Sequence, residues 1–97
     1  LKFCSLFSGS SGNSFFVKSN NTNILIDIGV SAKKIETVLG ELNIDINNID
    51  AILVTHEHVD HTKGIGNISK KYNIPVYANK KTWEAMPQVN EKVSIEN

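Results

Sequence analysis

The sequence predicts a mixed α/β fold in which helices lie on one face of a sheet. Two observations support this prediction. Apolar, β-prone segments separated by turn formers fill the first thirty residues, and helical and strand-like segments alternate after them. Strands followed by strand–helix alternation favour a sheet with both antiparallel and parallel pairs. A chain of 97 residues forms one domain at most.

Three strands open the chain. They are predicted at residues 1–7, 14–19 and 23–29, separated by the turn formers "SGSSGN" and "NNT". The short connections predict an antiparallel meander. The third segment, "NILIDIG", is continuously apolar before its aspartate, which favours burial on both faces.

The hydrophobic period then changes to that of a helix. Residues 31–42 carry apolar side chains at i, i+3, i+4 and i+7, and Ser31 stands where an N-cap belongs. The remaining elements are a buried strand at residues 51–55, a short helix marked by Ile65, Ile68 and Tyr72, a strand at residues 74–79, and a helix from residue 80 that Pro87 ends.

Composition excludes several classes of protein. Ten basic residues, all lysine, balance ten acidic ones, so no net field attracts nucleic acid or a membrane surface. Cys4 is the single cysteine, which excludes an intrachain disulfide and favours a reducing compartment. No apolar run approaches the roughly 20 residues of a membrane span, and "LKFCSLFSG" lacks the pattern of a signal peptide. We expect a cytoplasmic protein with no membrane partner.

All three histidines fall in "THEHVDHTKG", directly after the predicted strand at residues 51–55. Side chains two apart in an extended segment point the same way, so His56 and His58 are placed to bind one cation. Asp60 and His61, displaced along a following turn, are placed to bind a second cation, as in two-metal sites.

Other interpretations of this cluster are weaker. The zincin motif His-Glu-x-x-His begins at His56 but fails, because residue 60 is Asp. A merely solvated loop would not gather every histidine of the chain within six residues. Imidazole and carboxylate donors suit zinc, manganese or iron, and the absence of thiolate argues against a closed structural zinc site. Glu57, between two ligands, is expected to point away from the metals.

The motif "THEHVDHTKG" resembles the signature of the metallo-β-lactamase-fold hydrolases. The resemblance implies an αββα sandwich of two sheets flanked by helices. It also implies that His56 and His58 bind a first metal and that Asp60 and His61 bind a second. "ILIDIG" resembles the family's earlier motif, whose aspartate matches Asp27 and supports the metal loop through hydrogen bonds. On its own, Asp27 would be a turn acid at a strand end.

The opening "LFSGSSGNSFFV" is similar to the WalJ/YycJ-type subfamily, bacterial proteins regarded as DNA exonucleases. Its small residues would let a phosphate or the metal loop approach closely, so Ser11, Gly12 and Asn13 are expected to support the site. The implied reaction is hydrolysis of DNA, in which two divalent ions, zinc in first place and manganese or iron otherwise, activate a bridging water. Asp60 would also have a catalytic role by orienting that nucleophile.

Three alternatives stay open. A thioesterase or lactonase would use the same motif on a carbon centre, and a metal-binding module would use it without catalysis. Flavodiiron-type redox chemistry ranks last, because it usually needs Glu at the place of His58.

The motif is only part of a family site. The resemblance implies a further His for the first metal, a bridging Asp and another His for the second, yet no His follows His61 and no Asp follows Asp60. Residues 1–97 are therefore expected to be the N-terminal half of a metallo-β-lactamase domain. We expect little or no turnover from this chain alone, and self-association through the sheet face that the other half would cover.

Overall fold

A computed structural model describes residues 1–86 of the chain. Five strands form one sheet in chain order, and helices connect its second half. The strands are β1 Lys2–Phe7, β2 Ser14–Ser19, β3 Thr22–Ile26, β4 Ala51–Leu53 and β5 Val76–Tyr77. The helices are α1 Ala32–Glu41, α2 Val59–Thr62, α3 Ile65–Tyr72 and α4 Lys80–Glu84, with a 3₁₀ turn at Ile46–Asn48.

The sheet is mixed, as predicted. β1, β2 and β3 pair antiparallel and form the predicted meander, whereas β3, β4 and β5 pair parallel. Parallel neighbours need crossover connections. Accordingly, α1 lies between β3 and β4 in the chain, and α2 and α3 lie between β4 and β5.

One face of the sheet carries the core. Side chains paired across neighbouring strands form a buried row, namely Phe16, Leu25, Ile52 and Val76. Buried residues of α1 and α3 belong to the same cluster, namely Ile35, Leu39, Ile65 and Ile68. The helices therefore cover this face and fix the edge of the sheet from which the histidine segment leaves.

The opposite face, here called the outer face, is apolar, and no described helix packs against it. Successive side chains of a strand alternate between the two faces. The neighbours of the buried row therefore form two apolar rows: Phe3, Val17, Ile24 and Ala51, and Phe15, Ile26, Leu53 and Tyr77. None of these eight residues is buried, and Phe3 is 65% exposed.

β2 has the predicted bounds, whereas β3 and β4 end earlier than predicted. The strand predicted at residues 23–29 ends at Ile26, because Asp27 adopts a left-handed conformation with φ of 61°. The strand predicted at residues 51–55 ends at Leu53, and the main-chain N–H of Thr55 donates to the Asp27 carboxylate. Both ends are set by contacts distant in sequence.

The predicted helices are confirmed with local corrections. Ser31 caps α1 by accepting from the main-chain N–H of Lys34. The strand predicted at residues 74–79 shrinks to Val76–Tyr77, since Asn79 instead caps α4. That helix ends at Glu84, before Pro87, which lies outside the described residues. No helix within residues 1–86 is long and apolar enough to cross a membrane.

A polar contact joins α1 to α3, the helix that follows the histidine segment. Glu36 accepts hydrogen bonds from Lys71 Nζ at 2.7 Å and from the Tyr72 hydroxyl at 2.5 Å. The bond from Lys71 is the main cause that lowers the pKa of Glu36 below its ordinary value. This link connects the two helices at the surface.

Candidate metal centre

The four predicted ligands lie where β4 passes into α2. His56 and His58 are in the extended segment after the strand, and His58 is the N-cap of α2. Asp60 and His61 are in the single turn of that helix. The chain becomes helical immediately after His58, which is the condition under which Asp60 and His61 are displaced along a turn from the two preceding histidines.

The carboxylate of Asp27 accepts three hydrogen bonds from this segment, and Asp27 is only 1% exposed. Its Oδ1 accepts from the main-chain N–H of Thr55 at 2.8 Å, and its Oδ2 accepts from the Thr55 hydroxyl at 2.5 Å. His61 Nδ1 lies 2.7 Å from the same Oδ2. A buried carboxylate without a proton can only accept, so His61 donates from Nδ1, which leaves the lone pair on Nε2.

Main-chain bonds reinforce this connection. The N–H of Ile28 donates to the carbonyl of His61 at 2.9 Å, and the N–H of Gly64 donates to the carbonyl of Ile28 at 2.8 Å. The buried hydroxyl of Thr62 donates to the carbonyl of His58 at 3.1 Å. The end of β3 therefore holds the histidine segment on both sides of His61.

The loop between β1 and β2 reaches the same place. Asn13 donates from its main-chain N–H to the Asp60 carbonyl at 2.8 Å, and its Nδ2 lies 3.4 Å from Asp60 Oδ2. The Asn13 carbonyl in turn accepts from the N–H of Gly29 at 2.7 Å. Ser11 is exposed, two residues before this contact. Of the three expected supporting residues, Asn13 therefore makes the direct contact with a candidate ligand.

Glycines permit these close approaches. A Cβ on Gly29 would lie 1.7 Å from the Asp60 carbonyl oxygen and 2.6 Å from the Asn13 nitrogen. Gly12 has φ of +145°, which side-chain-bearing residues rarely adopt. The loop and the end of β3 can therefore meet the histidine segment main chain to main chain.

Two of the candidate ligands have donor atoms close to each other. His61 Nε2 and Asp60 Oδ2 are 3.7 Å apart. The His56 ring lies 4.8 Å from the His61 ring, centroid to centroid, but 6.3 Å from the His58 ring. Within residues 1–86, no three His, Cys, Asp or Glu side chains are grouped so as to hold one ion.

Glu57, expected to point away from the metals, contacts one candidate ligand. Its Oε2 lies 3.4 Å from His58 Nε2, and both side chains are well exposed, at 41% and 70%. His58 is thus the candidate ligand least constrained by the fold.

Sequence reasoning missed Thr55. Its hydroxyl touches both Asp27 and His56, at 2.5 Å and 3.0 Å. The only signal in the sequence is its position directly before His56, which does not reveal the contact with Asp27, 28 residues away.

Gly29→Ala should destabilise the fold by about 1–3 kcal/mol, the usual cost of overpacking, because the new methyl group collides with main-chain atoms of Asp60 and Asn13. Gly40→Ala on α1 is the matched control, with nothing within 4 Å of the added Cβ. It should stabilise the helix by about 0.5–1 kcal/mol. Urea unfolding of both variants measures the difference, and equal free energies of unfolding would contradict the close contact at Gly29.

Known proteins are similar to this chain in sequence. The chain is 49% identical over 85 residues to "Exodeoxyribonuclease WalJ" of Streptococcus pneumoniae, which covers 88% of this chain and 32% of the relative. It is 48% identical over 86 residues to "Exodeoxyribonuclease YycJ" of Bacillus anthracis, covering 89% and 33%. The chain therefore spans about a third of the length of these relatives.

The fold has solved counterparts. The MIM-2 metallo-beta-lactamase superposes with a TM-score of 0.72 at 17% identity, over 89% of this chain and 32% of that one. The family model described as "Metallo-beta-lactamase superfamily" matches residues 8–93. The superposition confirms the predicted fold. The family model confirms the resemblance seen in the histidine motif, and the chain belongs to the metallo-β-lactamase superfamily.

Proposed function

We propose that His56, His58, Asp60 and His61 are part of a two-metal site, and that the protein carrying this chain is a metal-dependent hydrolase of DNA. The observation that carries the proposal is the Asp60–His61 pair. Its two donor atoms are 3.7 Å apart, and buried Asp27 and half-buried Asn13 hold it from opposite sides.

The donor set fits divalent ions. Nitrogen and oxygen ligands lie about 2.0–2.2 Å from zinc, so two donors to one ion are at most about 4.4 Å apart. The Asp60–His61 separation of 3.7 Å falls within that limit. His56 and His58 would hold the other ion once His58 leaves Glu57. Zinc fits best, and manganese and iron accept the same donors.

Bound divalent ions would supply the Lewis acidity that makes water a nucleophile near neutral pH. The chain's own residues contribute orientation. Asp60 would accept a hydrogen bond from the attacking water and so have the catalytic role, while Asn13 Nδ2 holds its carboxylate. Asp27 would keep His61 turned with Nε2 outward. Gly12 and Ser11 belong to the loop that brings Asn13 to this position.

DNA is the proposed substrate because relatives at 48–49% identity are named exodeoxyribonucleases. The motif alone would equally serve a thioesterase or lactonase, or a module that binds metal without catalysis. We also propose a cytoplasmic location, since the single cysteine, Cys4, needs no oxidising compartment.

A chimera tests the function. The matching 85-residue segment of the Streptococcus pneumoniae relative is replaced by this chain's segment. We expect the chimera to degrade duplex DNA with added Mn²⁺ or Zn²⁺. His61→Ala and Asp60→Asn should each lower this nuclease activity by more than about 100-fold. That loss exceeds the roughly 10–100-fold typical when a residue that hydrogen-bonds to a metal ligand is removed.

The control is Asp50→Asn, since Asp50 accepts from the Asn23 N–H away from the histidine segment. Activity that survives both chelator and His61→Ala would contradict the proposal. Hydrolysis of thioesters or lactones instead of DNA would favour the carbon-centred alternative, and tight zinc binding without hydrolysis would favour the non-catalytic module. The 97-residue chain by itself should show little or no turnover.

We further propose that the isolated chain self-associates through the outer face, because eight apolar side chains there remain unburied. Sedimentation velocity over rising concentration should show oligomers that Leu53→Glu converts to monomers. Val59→Glu is the control, since Val59 is 69% exposed but lies on α2. A wild-type chain that stays monomeric, or oligomers unaffected by Leu53→Glu, would contradict this assignment.

A further inference from the structure

We infer that Thr55 is a positioning residue through which Asp27 orients His56 as well as His61, so that one buried carboxylate sets the tautomers of two histidines. The inference rests on the proposed metal-binding function of these rings. It assigns a role to Thr55, which is not one of the four candidate ligands, and it predicts which candidate ligands are preorganised before any metal binds.

The direction of the hydrogen bond from Thr55 follows from the single hydrogen on its hydroxyl. The Thr55 hydroxyl has one hydrogen and two polar neighbours, Asp27 Oδ2 at 2.5 Å and His56 Nδ1 at 3.0 Å. If the hydrogen pointed to His56, lone pairs of Thr55 and Asp27 would face each other at 2.5 Å, which is repulsive. The hydroxyl therefore donates to Asp27 and presents a lone pair to His56.

The same hydroxyl fixes the His56 ring. A lone pair on Thr55 Oγ1 accepts only from a protonated nitrogen, so His56 carries its proton on Nδ1. His61 also donates from Nδ1, directly to Asp27. Both rings then keep the lone pair on Nε2. The centroids of the two rings are 4.8 Å apart, so the two oriented rings are neighbours in the candidate two-metal site.

His58 differs from His56 and His61 in its surroundings. Its Nε2 faces the carboxylate of Glu57 across 3.4 Å, and its side chain is 70% exposed. In the part of the chain that the structure describes, the carboxylate of Asp27 accepts hydrogen bonds from Thr55 and His61 and not from His58. His56 and His61 are therefore preorganised for a metal, and His58 must reorient.

A fixed tautomer changes the affinity for metal by an amount that can be measured. A neutral imidazole without a fixed partner populates both tautomers, and one of them blocks Nε2 with a proton. Loss of an outer hydrogen-bond partner typically weakens metal binding by about 10–100-fold. Thr55 is itself exposed, so its replacement leaves no cavity in the core.

Nitrogen NMR tests the inference on the metal-free 97-residue chain with labelled histidine. Long-range proton–nitrogen spectra at about pH 8.5, where neutral imidazole predominates, identify the protonated nitrogen of each ring. We expect Nδ1–H for His56 and His61 in the wild type. In Thr55→Val, His56 should populate both tautomers while His61 keeps its proton on Nδ1. Thr55→Ser should give the wild-type spectrum.

Zinc titration gives the second readout. Affinity should fall about tenfold or more in Thr55→Val and stay near wild type in Thr55→Ser. Thr37→Val, at an exposed position of α1, is the matched control and should change neither readout.

An Nε2–H tautomer of His56 in the wild type would overturn the inference without any variant, as would a His56 signal unchanged in Thr55→Val. Failure of the proposed function is distinct: the wild type would show the expected tautomers but no zinc binding.

Discussion

The buried carboxylate of Asp27 is the interaction on which the rest of the site depends. Burial of an ionised group is costly unless donors surround it, and here three donors from the histidine segment do so. The same residue turns the chain by adopting a left-handed conformation, which aspartate tolerates better than most residues. The end of β3 and the start of the site are thus one structural feature.

Main-chain contacts from Asn13 and Gly29 hold Asp60, at the other end of the candidate site. Asn13 bonds to both the carbonyl and the side-chain region of Asp60, and it is bonded in turn by Gly29. Because Gly29 has no Cβ, three separate segments of the chain meet at van der Waals distance. The proposed metal centre is therefore supported by backbone that cannot shift far.

Local sequence patterns predicted the meander and the capping of α1 by Ser31. They did not predict the ends of β3 and β4, since these depend on a hydrogen bond between Asp27 and Thr55, 28 residues apart. They also did not predict the contact between the exposed side chains of Glu57 and His58. The ligand motif could be found from spacing, whereas the residues that orient it required the tertiary structure.

Zinc binding by Asp27→Asn tests the central claim most directly. Asparagine keeps the size and the left-handed backbone, but its amide nitrogen takes the place of one carboxylate oxygen. That nitrogen donates hydrogen bonds and cannot accept those of Thr55 and His61. By calorimetry, the dissociation constant should rise about tenfold or more, with no change in the control Asp50→Asn. An unchanged zinc dissociation constant in a folded Asp27→Asn chain would contradict the claim that this carboxylate organises the site.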